Sequence, residues 1–189
     1  MTLYWPIAAL VAISTGLLAL SAIGDPGRAL LRYDAELVSA GEIWRLLSAH
    51  VVHLGLAHTL LNVAGLVLIG LLFAAVMTPS YWLLATVCSA LSVSLGLYWF
   101  NPTVIWYVGF SGVLHGLFVA GATAMSQHEK VLAIGLLVGL AAKLGFEQWV
   151  GPMPGSEHTA GGRVIVDAHL YGAIGGWLAS VLQRLLKRL

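Results

Sequence analysis

The chain has 189 residues, of which 59% are hydrophobic and 9% charged, with nine basic and eight acidic side chains and a net charge of +1. A soluble domain carries about 25% charged residues, and so few charges cannot cover a water-soluble fold of this length, so the composition predicts an integral membrane protein. The charge balance excludes a nucleic-acid binder, which needs a basic footprint, and the hydrophobicity excludes a disordered chain. Cys88 is the only cysteine, which excludes an intrachain disulfide or a cysteine metal cluster.

A spanning helix needs about 20 mostly apolar residues. Six such segments follow in chain order: Tyr4–Ile23, Ala57–Met77, Tyr81–Phe100, Ser111–Met125, Val131–Val150 and Val166–Leu186. The first lacks a basic leader and a small-residue cleavage site, so it reads as a span and not as a signal peptide. Barrel strands alternate in polarity and these runs do not. The expectation is an all-α polytopic membrane protein, one domain over residues 1–189. Breaks at Asp25-Pro26-Gly27, Thr78-Pro79-Ser80, Asn101-Pro102-Thr103, Gln127–Lys130 and Gly151–Ser156 separate the segments. The long first loop, residues 24–56, holds Asp25, Asp34, Glu36 and Glu42 with Arg28, Arg32 and Arg45, and the apolar stretch Ile43–Leu47. It is expected to lie against the membrane interface, with Trp44 and Arg45 anchoring it there.

One side of the membrane would carry Arg28, Arg32, Arg45 and Arg163, the other Lys130, Arg184, Lys187 and Arg188. The counts tie, but the second group sits on much shorter polar segments. Charge density places both termini inside.

Polar groups within membrane helices are costly and usually face the protein interior. Parity brings several of them together here, because the second, fourth and sixth segments enter from the same side. His58 and Asn62 lie in the first turns of the second segment, Ser111 starts the fourth, and His169 lies in the first turn of the sixth. At about 1.5 Å rise per residue, all four sit within a turn or two of one surface. His58 and Asn62 are four apart and share a helix face. Gly112–Gly116 and Gly172–Gly176 are GxxxG patterns beside Ser111 and His169, a spacing that lets helix backbones approach closely in lipid. A third pattern, Gly135–Gly139, lies in the fifth segment.

This set suits nucleophilic catalysis. A serine hydroxyl needs an adjacent base, and a neutral histidine such as His169 can accept its proton near pH 7. An oxyanion would need donors, which His58, Asn62 and backbone N–H groups such as that of Gly112 can supply. No aspartate is placed to orient His169 and Asp167 is expected to point elsewhere, so the reading is a two-residue dyad.

These residues resemble the rhomboid intramembrane serine proteases. The family's GxSG motif corresponds to Gly109-Phe110-Ser111-Gly112, and its AHxxGxxxG motif to Ala168-His169 through Gly172 and Gly176. Its HxxxN corresponds to His58 through Asn62, and its Trp-Arg pair to Trp44-Arg45. The match spans nearly the whole chain, in family order. It implies a six-helix rhomboid-like bundle, Ser111 as nucleophile, His169 as general base, His58 and Asn62 near the oxyanion, and an active site open to the extracytoplasmic side. Many members carry an aromatic residue four positions after the nucleophile, packed on the catalytic histidine; here that residue is His115. The Leu114-His115-Gly116 ending and the compact chain look like the rhombosortase branch, which implies substrates bearing a C-terminal Gly-Gly motif, a membrane helix and a basic tail. The implied location is the bacterial inner membrane.

The remaining polar residues have plainer readings. His50, His53 and His58 with His115 match no usual zinc spacing, so no metal or other cofactor is expected. Lys143 and Glu147, four apart in the fifth segment, read as a mutually neutralising pair near the outer interface or as a contact for a polar part of substrate. The stretch Gly151–Gly162 reads as a surface loop or a substrate lid. Three other functions stay open: a rhomboid protease with other single-span substrates, a non-catalytic rhomboid-like protein that binds membrane helices, and a small transporter.

Overall fold

A computed structural model of the chain describes residues 4–188; the extreme termini, whose side of the membrane the sequence assigns, lie outside the described residues. The chain is mostly helical. In order it forms α1 (Tyr4–Ser21), α2 (Gly24–Leu31), β1 (Tyr33–Asp34), α3 (Ala35–Ser39), α4 (Arg45–Ser48), α5 (Leu56–Phe73) and α6 (Pro79–Phe100). It continues with β2 (Trp106–Tyr107), α7 (Ser111–Met125), α8 (Lys130–Trp149), α9 (Ser156–Ala160) and α10 (Val166–Leu186). Local chemistry sets several boundaries. The Thr78 hydroxyl accepts from Tyr81 N at 3.3 Å and Pro79 follows it, an N-cap and first-turn proline that start α6.

Each of the six apolar segments contains one long helix, but they are not equal. By length and composition, α5, α6 and α8 are long and apolar enough to cross a membrane. A bent pair, Ala8–Ser21 and Gly24–Leu31, turns by 114° and counts as a fourth if it is one span. The bend follows from Gly24, at φ +65°, and the Pro26 ring behind it. Helix α7 is a shorter apolar helix, and α10 carries Asp167, His169, Gln183 and Arg184 along its length.

Helix α10 packs against both α6 and α7, and glycines make this possible. A Cβ on Gly172 would run into the carbonyl of Gly112, and one on Gly176 into the carbonyl of Gly116. A Cβ on Gly116 would meet Ser89 of α6. A Cβ on Gly175 would meet the backbone of Cys88 and Ser89, so the α10 backbone lies close against those of both α6 and α7. Tyr81 OH donates to Ser180 Oγ at 2.8 Å, and Ser92 Oγ donates to Tyr171 O at 2.7 Å, fastening α6 to α10 at two levels. Leu66, Ile69 and Phe73 of α5 pack with Val113, Leu117 and Ala120 of α7 in the main apolar core.

The first loop is more structured than its composition suggests. It folds as α2, β1, α3 and α4, and β1 pairs antiparallel with β2, Tyr33 opposite Tyr107 and Asp34 opposite Trp106. Trp44 is exposed, while Arg45 is only 4% exposed. The Arg45 guanidinium donates to Glu42 Oε2 at 2.6 Å and to the carbonyls of Ala29 and Arg32 at 2.9 and 2.8 Å. Of the expected anchoring pair, Arg45 therefore ties the loop to itself from inside. His50 Nε2 lies 3.0 Å from both Ala90 O and Ser94 Oγ, which joins the loop to α6.

Candidate active site

Ser111 is the first residue of α7 and follows a turn built for it. Gly109 has φ +125°, and a Cβ there would sit 2.8 Å from His58 Cε1, so only glycine fits. Gly109 N donates to Ala49 O at 3.0 Å, and Tyr107 OH donates to Gly109 O at 2.9 Å. Phe110 N donates to His53 Nε2 at 3.4 Å. The loop histidines are held neutral: burial pushes His50 down to about 4 and His53 down to about 3. A neutral His53 can accept from the amide that precedes Ser111.

The Ser111 hydroxyl lies 3.1 Å from His169 Nε2. His169 is buried, and its Nδ1 is 2.9 Å from Glu147 Oε2. Glu147 is itself 3% exposed. Lys143 Nζ donates to the same carboxylate oxygen at 2.7 Å and to His115 Nε2 at 2.6 Å, and lies 3.2 Å from His169 Nδ1. The His115 ring stacks on that of His169, centroids 4.2 Å apart and planes 16° from parallel, and His115 Nδ1 is 2.7 Å from Ser111 O.

No aspartate faces His169, as expected, but a glutamate carboxylate does, a neighbour that the two-residue reading leaves out. The carboxylate comes from Glu147, because α8 ends at the face where α7 and α10 begin. The Lys143–Glu147 pair forms, with Glu147 buried against the histidine and Lys143 partly exposed. Asp167, two residues from His169, does point elsewhere and accepts from Asn101 Nδ2 at 2.8 Å. The signal for Glu147 was present in the sequence: an acid in an apolar segment, close to the membrane face shared by Ser111 and His169.

His58 and Asn62 lie on one face of α5. Together with Ser111, His115, Lys143, Glu147 and His169 they line a cavity of about 680 Å³. His58 Nδ1 accepts from Leu54 N at 3.4 Å, which leaves the ring proton on Nε2. Asn62 Nδ2 donates to His58 O at 2.9 Å, and its buried Oδ1 has no hydrogen-bond partner among the described residues. The Gly112 amide lies in the first turn of α7, where backbone N–H groups have no intrahelical acceptor. The stretch Gly151–Gly162 is neither bare loop nor remote: it contains α9, and Met153, Ser156 and Ala160–Gly162 line the cavity.

His115, Glu147 and His169 offer ligand atoms within 4.8 Å of one another. The Lys143 ammonium already fills the space among them as a hydrogen-bond donor, so the set as arranged does not fit a cation. His50, His53 and His58 do not join it.

Fold and site together define a helical membrane protein with a serine–histidine–carboxylate chain at the mouths of its central helices. Residues 40–185, well over half of the sequence, match the family described as "Rhomboid domain", and the chain belongs to the rhomboid family. It is similar to "Putative rhomboid protease YdcA" of Bacillus subtilis (strain 168), 26% identical over 153 residues that cover 77% of this chain and 69% of the relative.

Proposed function

We propose that this protein is an intramembrane serine protease in which Ser111 is the nucleophile and His169 the general base. The observation that carries the reading is the 3.1 Å contact between Ser111 Oγ and His169 Nε2, inside a cavity set among apolar helices. In the first step the Ser111 proton passes to His169 Nε2 while Oγ bonds to a peptide carbonyl carbon. The carbonyl electron pair moves to oxygen. The His58 Nε2–H, the free hydrogen of the Asn62 amide and the Gly112 N–H are the donors for that oxyanion. As the carbonyl reforms, His169 gives its proton to the departing amine nitrogen, leaving an acyl-enzyme. Water, deprotonated by His169, then releases the acid and frees Ser111.

In this reading all six long helices span a bacterial inner membrane, both termini face the cytoplasm, and the cavity opens outward. The substrate is a single-span membrane protein whose helix must unwind to expose its scissile bond, since a helical peptide group is shielded and hydrogen-bonded. Glycines ease unwinding. That supports a rhombosortase-like choice of substrate, with a C-terminal Gly-Gly motif, a helix and a basic tail.

The test is cleavage in liposomes of a single-span reporter with a Gly-Gly motif before its helix. Wild-type protein should cut it near the glycines, and Ser111→Ala and His169→Ala should not. A reporter with the glycines replaced should resist. Cutting by Ser111→Ala contradicts the protease reading, and equal cutting of both reporters contradicts the substrate reading alone.

A further inference from the structure

The steps above assign nothing to Glu147, although its carboxylate touches the base. We propose that Glu147 is a positioning residue of this reaction, the third member of a Ser111–His169–Glu147 chain, with Lys143 as the clamp that aims it. The proposal rests on the reading of Ser111 and His169 just given.

The hydrogen bonds decide which nitrogen of His169 carries the proton. To take the Ser111 proton, Nε2 must present a lone pair, so the ring proton must sit on Nδ1 and find an acceptor there. Two groups face Nδ1: Glu147 Oε2 at 2.9 Å and Lys143 Nζ at 3.2 Å. An ammonium only donates, whereas a carboxylate only accepts. With Lys143 alone, its N–H would point at the Nδ1 lone pair. The ring proton would then sit on Nε2, facing Ser111 as a donor, and the base would be lost. Glu147 reverses that choice. It also faces the positive charge that His169 gains when it takes the proton.

Lys143 is turned to another use by its neighbours. His115 Nδ1, 2.7 Å from Ser111 O, must carry its ring proton to bond that carbonyl. His115 Nε2 is then a lone pair, and Lys143 Nζ donates to it at 2.6 Å. A second ammonium hydrogen goes to Glu147 at 2.7 Å. Held from two sides, Lys143 fixes the carboxylate beneath His169, and the stacked His115 ring keeps the imidazole from turning. His115 therefore belongs to the same device and is not a second base.

The experiment measures kcat and KM of the full chain in liposomes for Glu147→Gln and for the double variant Lys143→Met/Glu147→Gln, with Ser111→Ala and His169→Ala alongside. The double variant leaves no unpaired ammonium. Removing the acidic member of a serine triad costs orders of magnitude in kcat, so both Glu147 variants should lose about 100-fold or more in kcat at unchanged KM. A double variant with wild-type kcat overturns the proposal, because the pair would then serve only folding. Activity in Ser111→Ala or His169→Ala instead overturns the dyad reading beneath it. A measurement on the wild type needs no variant to fold: ¹⁵N NMR of histidine-labelled protein in micelles, with His169 assigned by its loss in His169→Asn. Neutral His169 should show its proton on Nδ1, and a proton on Nε2 overturns the proposal.

Discussion

Gly109 and the two loop histidines show how single residues shape the turn that leads into Ser111. At φ +125° and with His58 against it, Gly109 cannot be replaced without strain. Gly109→Ala should cost about 1–3 kcal/mol and lower cleavage as well, because the turn that aims Ser111 must move; thermal unfolding in detergent and reporter cleavage measure the two effects. The loop histidines give a pH dependence. Burial lowers His50 from 6.5 to about 4 and His53 from 6.5 to about 3. The unfolded chain therefore binds more protons than the folded one below pH 6.5, and folding stability should fall as the pH drops from there toward 3. Unfolding midpoints against pH should show the loss, and His53→Gln should flatten part of it. At this scale helix parity made legible in the sequence that Ser111, His169, His58 and Asn62 come to one cavity. Glu147 stands out in sequence as an acid in an apolar segment near the same face, but a lysine four residues before it already satisfies it on paper, and the packing of α8 onto α10 supplies the third partner.

The helices test what spacing alone can and cannot say. Three GxxxG patterns look alike in sequence, yet they differ in what they meet. A Cβ on Gly172 or Gly176 would run into the carbonyls of Gly112 and Gly116, whereas one on Gly135 or Gly139 of α8 would meet no other part of the described residues within 4 Å. Gly172→Ala should therefore cost about 1–3 kcal/mol or more by forcing backbones apart, and should abolish cleavage by separating Ser111 from His169. Gly135→Ala should leave stability within about 0.5 kcal/mol of wild type. Comparing their unfolding midpoints checks the difference. The first loop was only partly legible. Its charges marked it as interfacial, but the two-residue pairing of β1 with β2 joins positions far apart in the chain, and no local pattern announces it. Arg45 read as a surface anchor because a charge next to an exposed tryptophan usually is one. Its guanidinium instead satisfies Glu42 and two carbonyls in the interior, so Arg45→Ala should cost about 2–3 kcal/mol and expose the loop to protease at its α2–α4 segment.

The scarcity of charge that marks the whole molecule as a membrane protein also organises it. Apolar side chains such as Leu71, Leu83, Val131 and Val138 stand outward, toward where lipid would be, while Asp34, Arg45, Glu147 and His169 are buried. Glu147 and His169 are buried beside the cavity, while the buried Ser180 bonds Tyr81 at the other end of α10. The proposed orientation puts α9 outside and the α7–α8 turn inside. A membrane-impermeant maleimide on intact cells should label His158→Cys and spare Gln127→Cys in a Cys88→Ser background; the reverse pattern would invert the topology. The central claim is that Ser111 is a nucleophile made reactive by His169. The direct measurement is labelling of the purified protein with a fluorophosphonate, read by mass spectrometry of the modified peptide. The account predicts a covalent adduct on Ser111 in the wild type, none in Ser111→Ala, and strongly slowed labelling in His169→Ala. Equal labelling of wild type and Ser111→Ala, or no adduct on Ser111 under conditions where a known rhomboid protease reacts, would contradict it.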